Sequence, residues 1–137
     1  MNEKQNGNTG VLKSLPKGAA QHDTAGPYSP VLIVNPGKLV VLSGQAAIDK
    51  EGNIVGDTIE EQTRFMMENC QSQLSSADCT FDDVFKVTLY LRDIGQWSTV
   101  NQIYETYFST PRPVRTAVQT GLIGELLVEI EMWAVQS

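Results

Sequence analysis

From Leu126 to Val135 the chain alternates with a period of two. Leu126, Val128, Ile130, Met132 and Ala134 form one wholly apolar face, the pattern of a strand laid over a core. The opposite face reads Leu127, Glu129, Glu131, Trp133 and Val135. A face left to water rarely carries Leu, Trp and Val around its charges. A cover on both sides of this strand is therefore expected, and any fold for the chain has to supply two.

The rest of the chain offers one of those covers. Thr58-Ile59-Glu60-Glu61 reads as a capping box, with Thr58 as the cap and Glu61 at the third helical position. Ile59, Thr63, Met66, Met67, Cys70 and Leu74 then recur at helical spacing, which predicts an amphipathic helix to about residue 76. Trp97, Val100, Ile103, Tyr104 and Tyr107 predict a second helix over roughly 96–108, stopped by Pro111 and Pro113. Between the helices, Phe85, Val87, Leu89 and Leu91 alternate with Lys86, Thr88, Tyr90 and Arg92 in a half-buried strand. Val31–Val34 and Leu39–Leu42, joined by Asn35-Pro36-Gly37-Lys38, read as a hairpin. Ser43-Gly44-Gln45 ends its second strand, and Asp49–Asn53 is a further turn. Arg115–Thr120 is a short strand. Residues 1–22 read as a loosely held arm before the rigid turn Gly26-Pro27-Tyr28-Ser29-Pro30. The order strand–strand–helix–strand–helix–strand–strand predicts an α+β sandwich, one sheet with both helices on one face. Both helices occupy the same side, so a second subunit is the expected cover for the other.

Length and composition narrow the function. With 137 residues the chain is expected to form one domain, 1–137. No apolar run approaches the ~20 residues of a membrane span, and the polar start Met1-Asn-Glu-Lys-Gln is unlike a secretion signal, so a cytoplasmic protein is expected. Net charge is −6, and its ten Lys and Arg residues are scattered, which argues against nucleic acid as the partner. Two cysteines and one histidine fall short of a zinc site, so no metal is expected. Cys70 belongs to the apolar side of its helix and reads as core. The chain lacks a phosphate-binding glycine loop and a nucleophile elbow. Ser43-Gly44 follows a strand, but no histidine downstream serves a triad.

Two residues remain as candidates for chemistry. Arg115 starts a strand after Pro113-Val114, where a guanidinium could hold a carboxylate bidentately or simply serve as a surface ion-pair residue. Glu129 shares its face with Leu127 and Trp133. It reads either as a general base in poorly hydrated surroundings or as a carboxylate paired with Lys86 or Arg92 across the sheet.

Gly26-Pro27-Tyr28-Ser29, Ser43-Gly44-Gln45, Val100-Asn101-x-x-Tyr104, Arg112-Pro113-Val114-Arg115-Thr116-Ala117-Val118 and Val128-Glu129-Ile130-Glu131 occur in this order. Together they resemble the RidA (YjgF-like) reactive intermediate deaminases from about residue 14 to residue 135. The resemblance implies a chorismate-mutase-like (ferredoxin-like) α+β fold and a homotrimer with three sites in clefts between subunits. It implies hydrolysis of 2-aminoacrylate and related enamines, in their imine form, to 2-oxo acids and ammonia, with no cofactor. Position by position, Arg115 matches the arginine that binds the substrate carboxylate and Glu129 the glutamate that orients the attacking water. Tyr28, Ser43, Gly44 and Asn101 match residues lining the cleft. Ala117 stands where many close members carry cysteine, Pro30 replaces a usual glutamine, and Gly121 and Gly124 occupy a segment where members often have Arg-Leu-Pro. These departures bear on substrate range. Rival expectations are a non-catalytic trimer that binds small 2-oxo acids and, against the acidic charge, a ribonuclease.

Overall fold

A computed structural model describes residues 11–136. Its strands are β1 (Lys13–Ser14), β2 (Ile33–Val34), β3 (Lys38–Ala46), β4 (Val84–Leu91), β5 (Val114–Gln119) and β6 (Val128–Gln136). Helix α1 spans Ile59–Ser76 and α2 spans Trp97–Tyr104. Four strands form one mixed sheet in the order β3-β6-β4-β5, in which β6 runs antiparallel to both neighbours and β5 runs parallel to β4. Both helices pack on one face, giving the α+β architecture expected.

Local chemistry fixes α1 at both ends. The Thr58 hydroxyl accepts from the Glu61 amide at 3.1 Å, and the Glu61 carboxylate accepts from the Thr58 amide at 3.2 Å and the Asp57 amide at 2.9 Å. Such a box satisfies amides that a helix start leaves without partners. At the other end Asp78 adopts a positive φ of 57°, which turns the chain out of the helix. α2 is shorter than its sequence pattern suggests. It is extended by 3₁₀ turns over Ile94–Gln96 and Glu105–Tyr107, so only its middle is α-helical.

Met66, Met67, Cys70 and Leu74 of α1 and Val100 and Tyr104 of α2 bury themselves against Val87, Leu89, Leu91, Val128, Ile130, Met132 and Ala134 of the sheet. Burial of one such leucine contributes about 1.5–3 kcal/mol. Cys70 is core, and burial pushes its thiol up to about 12. The opposite face of the sheet carries Lys86, Thr88, Tyr90, Glu129, Glu131 and Trp133, with Leu39 and Val41 of β3 exposed at 57% and 55% and Trp133 at 37%.

Two expectations fail. Val31–Val34 and Leu39–Leu42 do not pair as a hairpin: β2 pairs with β1, and β3 pairs with β6. The cause lies in Asn35, whose backbone amide donates to Leu12 O at 2.8 Å while its side chain donates to Val11 O. A residue that looks like part of a tight turn instead ties β2 to the N-terminal segment. It follows that the expected loose arm is not loose from residue 11 onward. The Lys13 ammonium is buried, donates to the Val84 carbonyl, and pins β1 beside β4. The start of the arm lies outside the described residues. β3 also continues beyond Ser43-Gly44-Gln45 to Ala46, with a bulge between Leu42 and Gln45.

Candidate functional site

Arg115 pairs in register with Val87 of β4, so its side chain leaves the sheet on the helix-covered side. There it meets aromatic rings rather than acids. Its Cζ lies 4.8 Å from the Tyr104 ring centroid, 5.2 Å from that of Tyr28 and 5.9 Å from that of Trp97. Stacking on π faces holds a guanidinium while leaving its N–H groups unused. Arg115 is 9% exposed, and Nε, Nη1 and Nη2 are all buried without a hydrogen-bond partner among the described residues. Burial lowers its pKa, against the opposing influence of Tyr104 and Tyr28. A buried donor set of this kind costs free energy unless an acceptor arrives.

The surrounding chain is shaped to that end. The Gly26–Pro30 turn runs beside β5, held where Ser29 N donates to Pro113 O at 3.2 Å and the Ser29 hydroxyl donates to Arg112 O. Gly26 is needed as glycine, since a β-carbon there would sit 2.9 Å from the Trp97 ring. Trp97, Asn101 and Tyr104 are spaced four and three apart, one stripe of α2. Asn101 therefore faces the same cage, and its Oδ1 is buried and unpartnered among the described residues, as is the Tyr104 hydroxyl. Burial raises the Tyr104 pKa, with Arg115 and Arg112 pulling it down. The cleft outside Arg115 has a volume of about 340 Å³ and is bounded by Gln21, Tyr28, Pro30, Lys86 and Thr116. Ala117 pairs with Leu89 and so lies on the Arg115 side of β5, packed against the core.

Glu129 is elsewhere. It sits opposite Tyr90 of β4 and Ala46 of β3, on the helix-free face. Its carboxylate lies over Gly44 in the bulge of β3, where a β-carbon would come within 2.1 Å of Oε2. Gly44, Tyr90, Thr120, Leu122, Glu129 and Glu131 line a second cleft of about 330 Å³. The Tyr90 hydroxyl donates to Glu131 Oε1, a contact that raises the Tyr90 pKa. Arg92 is not across from Glu129: it donates to the carbonyls of Leu122, Gly124 and Leu126 at 2.9, 2.7 and 2.7 Å. Lys86 stands opposite Trp133 and lines the other cleft. Ser43 is exposed beside Gly44, and its carbonyl accepts from the Gln45 side chain.

Within one chain, then, Arg115 assembles with Tyr28 and Asn101, Glu129 assembles with Gly44, and the two groups occupy different clefts on opposite faces of the sheet. The register of β5 on β4 is what puts Arg115 on the helix-covered side, away from Glu129. Trp97 and Tyr90 were visible in sequence only as helix or strand positions and Tyr104 only as one position of a motif, and nothing in their spacing marked them as neighbours of either cleft.

Fold and site together define a small α+β protein with a buried guanidinium whose donors lack partners among the described residues. A family model described as Endoribonuclease L-PSP matches residues 18–136. A RutC family protein of Pyrococcus abyssi is 39% identical over 108 residues, covering 77% of this chain and 84% of that protein. The 2-iminobutanoate/2-iminopropanoate deaminase of Homo sapiens is 34% identical over 113 residues, covering 81% of each chain. The crystal structure of YyfA from Yersinia pestis, of the conserved Rid protein family, superposes with a TM-score of 0.69 at 34% identity, covering 91% of this chain and 100% of that one. The chain belongs to this L-PSP family, that of the RidA (YjgF-like) proteins.

Proposed function

We propose that the protein hydrolyses 2-imino acids such as the imine tautomer of 2-aminoacrylate, giving 2-oxo acids and ammonia in a homotrimer whose sites lie between subunits. The observation that carries this reading is Arg115, a buried guanidinium caged by rings with its donors unpartnered among the described residues. A carboxylate matches that planar donor set bidentately, and a charge-assisted bond in poorly hydrated surroundings is strong. The deaminase name of the human relative supports the same substrate class.

Arg115 holds the acid and fixes the adjacent imine carbon. Water adds to the protonated imine: Glu129 receives a proton from water as the water oxygen bonds to that carbon and the C=N π electrons move to nitrogen. Glu129 then returns this proton to the carbinolamine nitrogen, and ammonia leaves as the C–N bond breaks, the hydroxyl becomes a carbonyl and the hydroxyl proton passes to Glu129. An imine carbon is already electrophilic, so positioning and general-base help suffice. Arg115 and Glu129 occupy separate clefts of one chain, so a working site takes Arg115 from one subunit and Glu129 from the next. The apolar Leu39, Val41 and Trp133 on the helix-free face support such an assembly. Tyr28, Ser43, Gly44, Asn101 and Ala117 would border the composite site. An endoribonuclease reading draws less support: the chain is acidic, and the single histidine, His22, is exposed and bonded to Thr24.

The test generates 2-aminoacrylate with a serine dehydratase and traps surviving imine with semicarbazide. Wild type is expected to outrun the trap, and Arg115→Ala and Glu129→Ala are not. A wild type that fails to compete points to a 2-oxo acid binding protein without catalysis. Variants that compete as well as wild type remove Arg115 and Glu129 from the site.

A further inference from the structure

We propose that Tyr90 is a second catalytic acceptor in the Glu129 cleft: its hydroxyl oxygen takes the hydrogen of the attacking water that Glu129 does not remove, and Glu131 is the positioning residue that keeps the hydroxyl proton out of the way. This rests on the deaminase reading and names the group that aims its nucleophile.

Tyr90 of β4 and Glu129 of β6 are register partners, so their side chains leave the sheet side by side on the helix-free face. Residues directly opposed in an antiparallel pair have β-carbons about 4.5–5.5 Å apart. Glu131, two residues further along β6, shares that face and stands diagonal to Tyr90. All three line the same cleft of about 330 Å³. The Tyr90 hydroxyl donates to Glu131 Oε1 rather than to its direct partner, while Glu129 lies over Gly44.

A hydroxyl has one proton to give and two lone pairs to accept with. The Tyr90 proton is committed to Glu131, so the hydroxyl meets any third group as an acceptor. The Glu131 bond first, then burial and the charges of Glu131 and Glu129, raise the Tyr90 pKa, so the phenol keeps its proton at neutral pH and the bond keeps its direction. No basic side chain lines this cleft, and Thr120, the other hydroxyl there, is exposed. Water attacks an electrophilic carbon through a lone pair, so both its hydrogens have to point away from that carbon. Glu129 removes one as the base. The other needs an acceptor that holds it without taking it, and a phenol oxygen beside Glu129 is such a group. That hydrogen stays on the water oxygen throughout, and no proton passes to Tyr90. Without Glu131 the hydroxyl is free to turn its own proton towards Glu129 and occupy the base. Arg115, which holds the acid, belongs to the other cleft, so Tyr90 acts on the water and leaves affinity alone.

Turnover of 2-aminoacrylate against the semicarbazide trap, with calorimetric binding of the product-like acid 2-oxobutanoate, tests this on wild type, Tyr90→Phe, Glu131→Leu and the double variant. Tyr90→Phe should lower turnover by about tenfold, the scale of one hydrogen bond to the reacting water, with 2-oxobutanoate bound as by wild type. Glu131→Leu should lose a similar factor, and the double variant no more than either, because both side chains act through one hydrogen. Urea midpoints correct each rate for the folded fraction. A bond that only ties β4 to β6 would lower the Tyr90→Phe midpoint and leave turnover per folded molecule unchanged, and that result overturns the proposal. Losses that multiply in the double variant overturn it too, as does a Tyr90→Phe variant that loses binding along with turnover. If wild type outruns the trap, Glu129→Ala does not and Tyr90→Phe matches wild type, the deaminase reading stands and the role of Tyr90 alone falls. If wild type cannot outrun the trap, both fall.

Discussion

Gly44 has no side chain where a β-carbon would come 2.1 Å from a Glu129 oxygen. Gly44→Ala therefore has to move the Glu129 carboxylate, the side-chain end that yields while the bulge holds the backbone. Turnover of the imine is expected to fall by at least tenfold with binding of 2-oxobutanoate nearly unchanged, since Arg115 lies in the other cleft; a 1 Å misplacement can cost on the order of 100-fold. Lys13 makes a different residue-scale prediction. Burial lowers its pKa from 10.5 to about 8, against Asp82 and Asp83, which raise it. Above pH 8 the folded chain releases this proton while the unfolded chain keeps it until about 10.5, so the unfolded state binds more protons and stability rises with pH across that window. Urea midpoints measured between pH 8 and 10 should rise more steeply for wild type than for Lys13→Met. Neither position announced itself in the sequence. Gly44 was visible as part of a motif, but its reason lies in a strand far along the chain, and Lys13 sat in a segment whose polarity suggested solvent.

Among the elements, the segment after β5 is governed from two sides. Arg92 holds three of its carbonyls, and the fully buried Gln62 donates to Glu125 O at 3.2 Å and Gly56 O at 3.1 Å while accepting from the Leu127 amide at 2.9 Å. Gln62→Leu leaves three part-buried backbone groups without this partner, at about 1–3 kcal/mol. Urea denaturation should register that loss, and amide exchange at Leu127 should quicken. Glu125 and Leu122 would shift with it, and with them one wall of the Glu129 cleft. Elements whose signals are local were legible: the capping box of α1, the alternation of β4 and the long apolar face of β6. β5 was harder. Its run Val114-Arg-Thr-Ala-Val-Gln puts small, polar and apolar residues on both faces, so parity alone leaves the side of Arg115 undecided; only the pairing of Arg115 with Val87 decides it. The false hairpin has the same origin, because turn chemistry at Asn35-Pro36-Gly37 says nothing of a partner more than twenty residues earlier.

For the whole molecule, the two faces of the sheet have unlike fates. One is sealed by helices, and the other displays Leu39, Val41 and Trp133 around Tyr90, Glu129 and Glu131. On the proposed division of the working site between subunits, assembly and catalysis are coupled. Trp133→Glu is expected to yield a folded monomer by light scattering, with native circular dichroism and imine turnover lost. A monomer that still deaminates would show that one chain holds a complete site. The cage around Arg115 also has a consequence for how the protein trades ligands. A guanidinium steadied by an internal carboxylate would have to surrender that partner each time a substrate entered. Steadied by three rings, with no acidic partner among the described residues, it keeps its support when an acid binds.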